Sequence, residues 1–337
     1  MIKGSISLFQ VFGGSLEGNP LGDSSTRTTP VYLPPGYAEA TGARYPTIYF
    51  LHGFTGSGIA WLNASPFTHN VPERLDALIS SGAIPPCIGV FVDGWTALGG
   101  SQWINSEGIG QYRNYVARDI VGWADRTFRT IARAAARALI GKSSGGYGAL
   151  VISRFHPDIF AHAGVHSGDA GFEYCYLHEL PLALGPLNKS GGIEGWFREF
   201  KERAVATKMR ADDHAVINML AMSAAYSPKK GEPLGIELPV DLTNGRLKIE
   251  VWNRWLVHDP VRFVPKHVDV YKKLKSLYFD CGTRDEFNLR WGTRIIADEL
   301  KQGGVELIHE EFEDGHMNIN YRFDRSLQYL VPRLDRA

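Results

Sequence analysis

Apolar residues fall along the chain in two patterns. Short β-rich runs at 47–51, 87–92, 138–140, 160–165 and 276–279 stop at His, Asp or Gly, which predicts strands buried on both faces. A more polar run at 305–312 predicts one further strand. Between them lie stretches with apolar residues at helical spacing, around 71–80, 115–131, 147–155, 291–301 and 323–330. The first 30 residues are rich in Gly, Ser and Thr and predict short strands or an extended arm, and Val31-Tyr32-Leu33 predicts a strand stopped by Pro34-Pro35-Gly36. Strands alternating with helices through short loops predict an α/β fold, with a mostly parallel central sheet covered by helices on both faces. Ligands in such sheets sit at the carboxyl ends of the strands, so residues there are the candidates for chemistry.

The segment 171–268 breaks this rhythm. It predicts two helices (193–204 and 212–224), a Pro/Gly-rich stretch at 227–239 and a strand at 247–252. The expectation is a single domain over 1–337 in which 171–268 is an inserted cap above the sheet.

Composition narrows the function classes. A chain of 337 residues, 44% of them hydrophobic, has ample material for a core, which excludes wholesale disorder. Lys+Arg and Asp+Glu number 36 each, a balance that argues against nucleic acid or an anionic membrane as the main partner. No run approaches the roughly 20 apolar residues of a membrane span, and residues 1–7 carry neither a long apolar segment nor a small-residue cleavage site. A cytoplasmic location is therefore expected. Cys87, Cys175 and Cys281 lie far apart without a C-x-x-C pair, so a structural zinc site and a complete disulfide framework are both excluded. Homo-oligomerisation is left open.

One motif stands out against this background. Gly141-Lys142-Ser143-Ser144-Gly145 is the sole G-x-S-x-G in the chain, and it follows an apolar strand and enters a helix. A serine on such a tight turn takes a strained backbone that closes only with small neighbours on either side. The turn would present the Ser143 hydroxyl and aim the Ser144 N–H and the helix N-terminus at a developing oxyanion. Ser144 is a rival nucleophile, but its own neighbour would then be Lys142, which crowds the elbow. Gly141-Lys142-Ser143 also suggests a phosphate loop. Ala136 stands where that loop needs its first glycine, and 138–140 is a strand, so the reading fails.

A serine hydroxyl needs a base, and the base needs an orienting carboxylate. Of the histidines beyond Ser143, His316 alone sits in the loop between the last strand and the last helix, whereas His309 lies inside a strand and His258 and His267 fall in the insertion. Residues 276–286 offer Asp280, Asp285 and Glu286 after the penultimate strand; Asp285, past the Gly282 turn, is favoured over the other two. The loop His52-Gly53-Phe54-Thr55-Gly56-Ser57-Gly58 follows an early strand, and the Phe54 N–H is the expected second oxyanion donor.

Tyr32-Leu33-Pro34-Pro35-Gly36-Tyr37, Leu51-His52-Gly53, the run from Ile140 to Ala149, Asp280-Cys281-Gly282-Thr283-Arg284-Asp285 and Gly315-His316 occur in the order of a known family. Over roughly 28–170 and 275–331 the chain resembles the esterase D-like family of α/β-hydrolases. That family includes S-formylglutathione hydrolases, feruloyl and acetylxylan esterases, enterochelin esterases and mycolyltransferases. The resemblance implies the α/β-hydrolase fold, Ser143 as nucleophile, His316 as base, Asp285 as acid and the Phe54 and Ser144 amides as oxyanion hole, with no metal or organic cofactor. Asn105-Ser106 and Tyr112-Arg113-Asn114-Tyr115 also look like the family. Lys142 departs from it, since formylglutathione hydrolases carry His before the nucleophile, and 171–268 matches no family motif.

The function expected is a serine carboxylesterase that hydrolyses small to medium esters through an acyl-enzyme, with a small-molecule ester as partner. One alternative is an acyltransferase with the same triad and a sugar or alcohol acceptor. The other is a non-catalytic hydrolase-like binding protein. Trp95, Trp103, Tyr112, Trp252 and Trp255 either line an acyl or aryl pocket or pack the cap against the sheet, with packing favoured.

Overall fold

The computed structural model describes residues 2–336. Ten strands occur in chain order: β1 (Ser5–Phe12), β2 (Thr26–Leu33), β3 (Thr47–Leu51), β4 (Ile88–Val92), β5 (Asn105–Ser106), β6 (Gly110–Gln111), β7 (Arg137–Lys142), β8 (His162–His166), β9 (Ser276–Gly282) and β10 (Ile308–Phe312). Eight of them form one sheet in the order β1-β2-β4-β3-β7-β8-β9-β10, while β5 and β6 make a separate ribbon. The β1/β2 and β2/β4 pairs are antiparallel; every pair from β4 onward is parallel. Residues 5–33 thus supply an edge hairpin rather than a free arm.

The apolar runs are unbroken because both faces of the inner strands are covered. Alternate residues feed two separate cores: Tyr49, Leu139 and Phe279 on one face, Phe50, Ile140 and Tyr278 on the other. The helices Val71–Ser80 and Phe323–Leu330 fall where the apolar spacing places them. The first opens on a capping box, in which the Asn70 side chain accepts from the Glu73 N–H and the Glu73 carboxylate accepts from the Asn70 N–H.

Residues 115–131 are not one helix. A π turn at Tyr115–Ile120 runs into a short α-helix, Val121–Thr127, and Phe128 is extended. Phe128 and Ile131 are buried by a different route: Tyr45 N donates to Arg129 O and Ile131 N to Tyr45 O, so this segment runs beside residue 45 as a strand would.

The segment 171–268 contains the helices Leu180–Lys189, Ile193–Ala206, Asp213–Tyr226 and Ile249–Leu256. The strand expected at 247–252 is therefore mostly helix. Val251, Trp252 and Trp255 make one buried face with Glu250 and Asn253 outside it, a helical spacing that a six-residue window is too short to reveal. Gly185 and the internal Pro186 conceal the helix Leu180–Lys189. Trp103, Tyr112, Trp252 and Trp255 are buried in the packing, and Trp95 alone of the five aromatics is exposed. Among the described residues, no helix is long and apolar enough to cross a membrane.

This topology positions the loops. Chain order reverses at β3, which has β4 on one side and β7 on the other. Leu51 pairs with Gly141 and Gly282 with Phe312, so the loops after β3 and β7 open side by side, as do those after β9 and β10. All open at the carboxyl edge, where such sheets bind ligands.

Candidate active site

Ser143 stands between β7 and the helix Ser144–Phe155 with φ +59° and ψ −130°, a conformation that costs a non-glycine residue about 1–3 kcal/mol. Its N–H donates to His166 O at 2.9 Å, tying the elbow to β8. A Cβ on Gly145 would stand 2.0 Å from Leu51 O, and one on Gly141 2.3 Å from the Gly145 carbonyl carbon. Close approach is thus what the two glycines supply. Ser144 opens the helix, so its N–H has no partner within it.

The loops after β9 and β10 bring Asp285 and His316 together, both nearly buried, with His316 Nδ1 2.8 Å from Asp285 Oδ2. Asp285 Oδ1 accepts from the Phe287 and Leu289 N–H groups at 3.0 and 3.4 Å. Burial pushes this carboxyl up, but the His316 ring and those two amides outweigh it and hold it below the usual carboxylate range. An ionised Asp285 takes the Nδ1–H and leaves His316 Nε2 free to accept a proton. The Phe287 ring meets His316 edge-on, centroids 4.8 Å apart.

Asp280 and Glu286, the other two carboxylates, have different duties. Asp280 is wholly buried beneath the site, where it pairs with His166 Nδ1 at 2.8 Å and Arg322 Nε at 2.9 Å. Glu286 accepts from the His316 backbone N–H at 2.5 Å and so holds the loop that carries His316. His309 remains in β10, and His258 is half-buried in the segment 171–268, where its carbonyl accepts from Tyr147 OH.

The Phe54 loop is pinned on two sides. His52 Nε2 accepts from the Gly94 N–H at 2.8 Å, which requires Nδ1 to carry the proton it donates to Gly53 O, also at 2.8 Å. Burial lowers the pKa of this ring and keeps it neutral. Asp93 accepts from the Gly58 N–H at 3.0 Å and is paired with Arg27 from β2 at 3.4 Å. A Cβ on Gly53 would lie 3.3 Å from Ser143 Cβ, so the loop runs directly beside the elbow. Among the described residues, no hydrogen bond engages the Phe54 N–H.

Ser143 faces a cavity of about 40 Å³, lined by Phe54, Gln102, Asp169, Tyr176, Asn218, Phe287 and neighbours. Its hydroxyl lies 3.5 Å from Asp169 Oδ1, and no hydrogen bond joins it to His316. Catalytic hydrogen bonds are often long or unmade until substrate arrives. Tyr176 and Asn218 come from the segment 171–268, which therefore lines part of the cavity. A larger groove of about 650 Å³, between Pro186 and Asp213, lies wholly within the insertion and touches none of the candidate residues.

Sequence reasoning did not reach Gln102, Asp169 or the pinning role of His52. Asp169 carries a faint signal, since it lies just past a strand at the carboxyl edge. Gln102 carries none: it and Trp103 sit at φ +51° and +56° in a stretch with no periodicity.

A mostly parallel sheet with a reversal at β3, a strained serine at the end of β7 and a His–Asp pair after β9 and β10 define an α/β-hydrolase. Residues 24–316 match the model of the family described as "Putative esterase", and the chain belongs to that family. It is similar to an endo-1,4-beta-xylanase/feruloyl esterase of Xylanibacter ruminicola, 29% identical over 145 residues, which are 42% of this chain and 19% of that protein. An esterase of Mycobacterium tuberculosis is 29% identical over 175 residues, 48% of this chain and 34% of the other. The chain thus covers about a third or less of these relatives' length. A solved ferulic acid esterase aligns over 99% of this chain and 100% of its own, with a TM-score of 0.63 and 16% identity, a likeness of fold.

Proposed function

We propose that the chain is a serine carboxylesterase that works through Ser143, His316 and Asp285. The observation that carries this reading is the His316–Asp285 hydrogen bond on loops that flank the strained Ser143 elbow. On substrate binding the Ser143 hydroxyl turns from Asp169 toward His316 Nε2, which takes its proton as Oγ attacks the ester carbonyl. The Phe54 and Ser144 N–H groups receive the oxyanion, aided by the N-terminus of the helix Ser144–Phe155. The C–O bond to the alcohol breaks as His316 returns the proton to it. Water then attacks the acyl-enzyme by the same route, releasing the acid and restoring Ser143.

The segment 171–268 acts in this reading as a cap that walls the acyl pocket with Cys175, Tyr176, His214 and Asn218. A water molecule needs about 10–15 Å³ of such space, so about 40 Å³ suits an acyl group of two or three heavy atoms beyond the carbonyl. Turnover of p-nitrophenyl acetate, butyrate, octanoate and feruloyl esters tests this. Acetate is expected to be fastest, and Ser143→Ala is expected to lower kcat by roughly 10⁵–10⁶-fold. Turnover that survives Ser143→Ala would sink the reading. Transfer of the acyl group to added alcohols in preference to water would make the enzyme an acyltransferase.

A further inference from the structure

Asp169 is an unusual neighbour for a serine nucleophile. It is buried, and among the described residues no Lys, Arg or His pairs with it. Its Oδ2 accepts from Tyr176 OH at 2.9 Å and Gln102 Nε2 at 3.1 Å. Its Oδ1 has only the Ser143 hydroxyl, at the long distance of 3.5 Å. The carboxylate decides which end of the Gln102 amide faces it, namely the NH₂. Gln102 Oε1 is then left without a partner, although the residue is 1% exposed. Both groups line the cavity beside Ser143. The unspent hydrogen-bonding capacity of these two side chains is all acceptor, and buried acceptors without donors are disfavoured.

Chemistry sharpens the point. A bare carboxylate beside Ser143 opposes the negative charge that builds on Oγ and on the carbonyl oxygen during attack. A substrate that brings a donor to Asp169 offsets that opposition in the transition state, while one with only C–H groups leaves it in place. Burial raises the Asp169 pKa, and the Gln102 and Tyr176 hydrogen bonds oppose the shift without cancelling it.

We propose that Asp169 and Gln102 form a subsite for acyl groups that carry a hydrogen-bond donor, a hydroxyl or an ammonium, on the carbon next to the ester carbonyl. The inference rests on the esterase reading and narrows its substrate class to small 2-hydroxyacyl or 2-aminoacyl esters. Asp169 is then a specificity-determining residue that touches the substrate, and the small cavity admits such groups while excluding long chains.

The test compares ethyl propionate, ethyl lactate and ethyl alaninate on the full chain at pH 7 by pH-stat, each rate normalised to hydroxide-catalysed hydrolysis. The wild type is expected to favour lactate, alaninate or both over propionate by at least about tenfold in kcat/KM, in line with an acceptor left unpaired by the wrong substrate. Preference for lactate identifies the hydroxyl, and preference for alaninate the ammonium. Asp169→Asn is expected to bring the ratio close to one, with propionate turnover falling less than that of the preferred ester. Equal normalised rates for the three esters in the wild type overturn the proposal. So does an undiminished ratio in Asp169→Asn protein that still reacts with a fluorophosphonate at Ser143. Should that variant not label, Tyr176→Phe removes one donor to Asp169 at nearly constant volume, and an unchanged ratio there also overturns it. Turnover of p-nitrophenyl acetate, abolished by Ser143→Ala, keeps the esterase reading standing if the preference fails. Absence of all ester turnover removes both.

Discussion

At the scale of single residues, the site separates carboxylates that look equivalent in the chain. Asp280, Asp285 and Glu286 lie within seven positions of one another, yet their partners are Arg322 and His166, the His316 ring, and the His316 backbone. Asp285 is the one able to hold the imidazole in the tautomer that leaves Nε2 as a base. Replacing it by Asn puts an NH₂ or a neutral oxygen opposite Nδ1, and kcat on p-nitrophenyl acetate is expected to fall by about 10⁴-fold. A fall of less than tenfold would assign the orienting role elsewhere. Favouring Asp285 over Asp280 was possible from the sequence because a glycine turn separates them. The role of Glu286 was not legible, since a side chain that clamps a backbone amide 30 positions away leaves no local pattern.

Among the elements, the elbow concentrates the most constraint into the fewest residues. The end of β3, the end of β7 and the first turn of the helix Ser144–Phe155 meet at Gly145, where a methyl group would lie 2.0 Å from Leu51 O and 2.8 Å from His52 O. Backbone cannot swing aside as a side chain can. Gly145→Ala is therefore expected to cost about 1–3 kcal/mol or more of stability, as overpacking does. It should also slow fluorophosphonate labelling of Ser143 by displacing the Phe54 loop. Calorimetry and labelling rate check the two together, and an unchanged melting temperature would contradict the close approach. The strands and most helices of the hydrolase core were legible because burial on both faces makes the strands unbroken apolar runs and burial on one face gives the helices a 3.6 period. The insertion was less so: Pro186 sits inside a helix, and the helix Ile249–Leu256 begins in what looks like a short strand.

For the molecule as a whole, the sheet ends in opposite ways. The β1 edge exposes Leu8 and Phe12, whereas β10 carries Glu310 and Glu311, each paired with arginine. Charges on an edge strand discourage pairing with another chain. Glu310 accepts from Arg325 at 2.8 Å and Arg322 at 2.5 Å. The Arg325 hydrogen bond, against partial burial and with Tyr278 and Arg322 adding to it, lowers its pKa from 4.5 to about 2. A carboxyl depressed in the folded state contributes stability that is complete above its unfolded pKa and is lost as pH falls through the folded one. Between pH 4.5 and about 2 the wild type should therefore lose melting temperature more steeply than Glu310→Gln. Parallel slopes for the two proteins would show that this cluster does not couple folding to protons.

The sequence by itself determined the α/β architecture, the serine elbow and the order of the catalytic candidates. Each of these is written in local spacing: apolar runs of strand length, small residues flanking a strained serine, and loops that follow particular strands. Tertiary structure alone decided that Glu286 clamps the His316 backbone, that His52 fastens the Phe54 loop, and that Gln102 and Asp169 converge beside Ser143. These are contacts between side chains far apart in the chain, created when the reversal at β3 and the fold of the insertion bring separate loops to one edge of the sheet. Burial there removes water as a competing partner, so the hydrogen bonds each group finds or lacks are set by its neighbours in space.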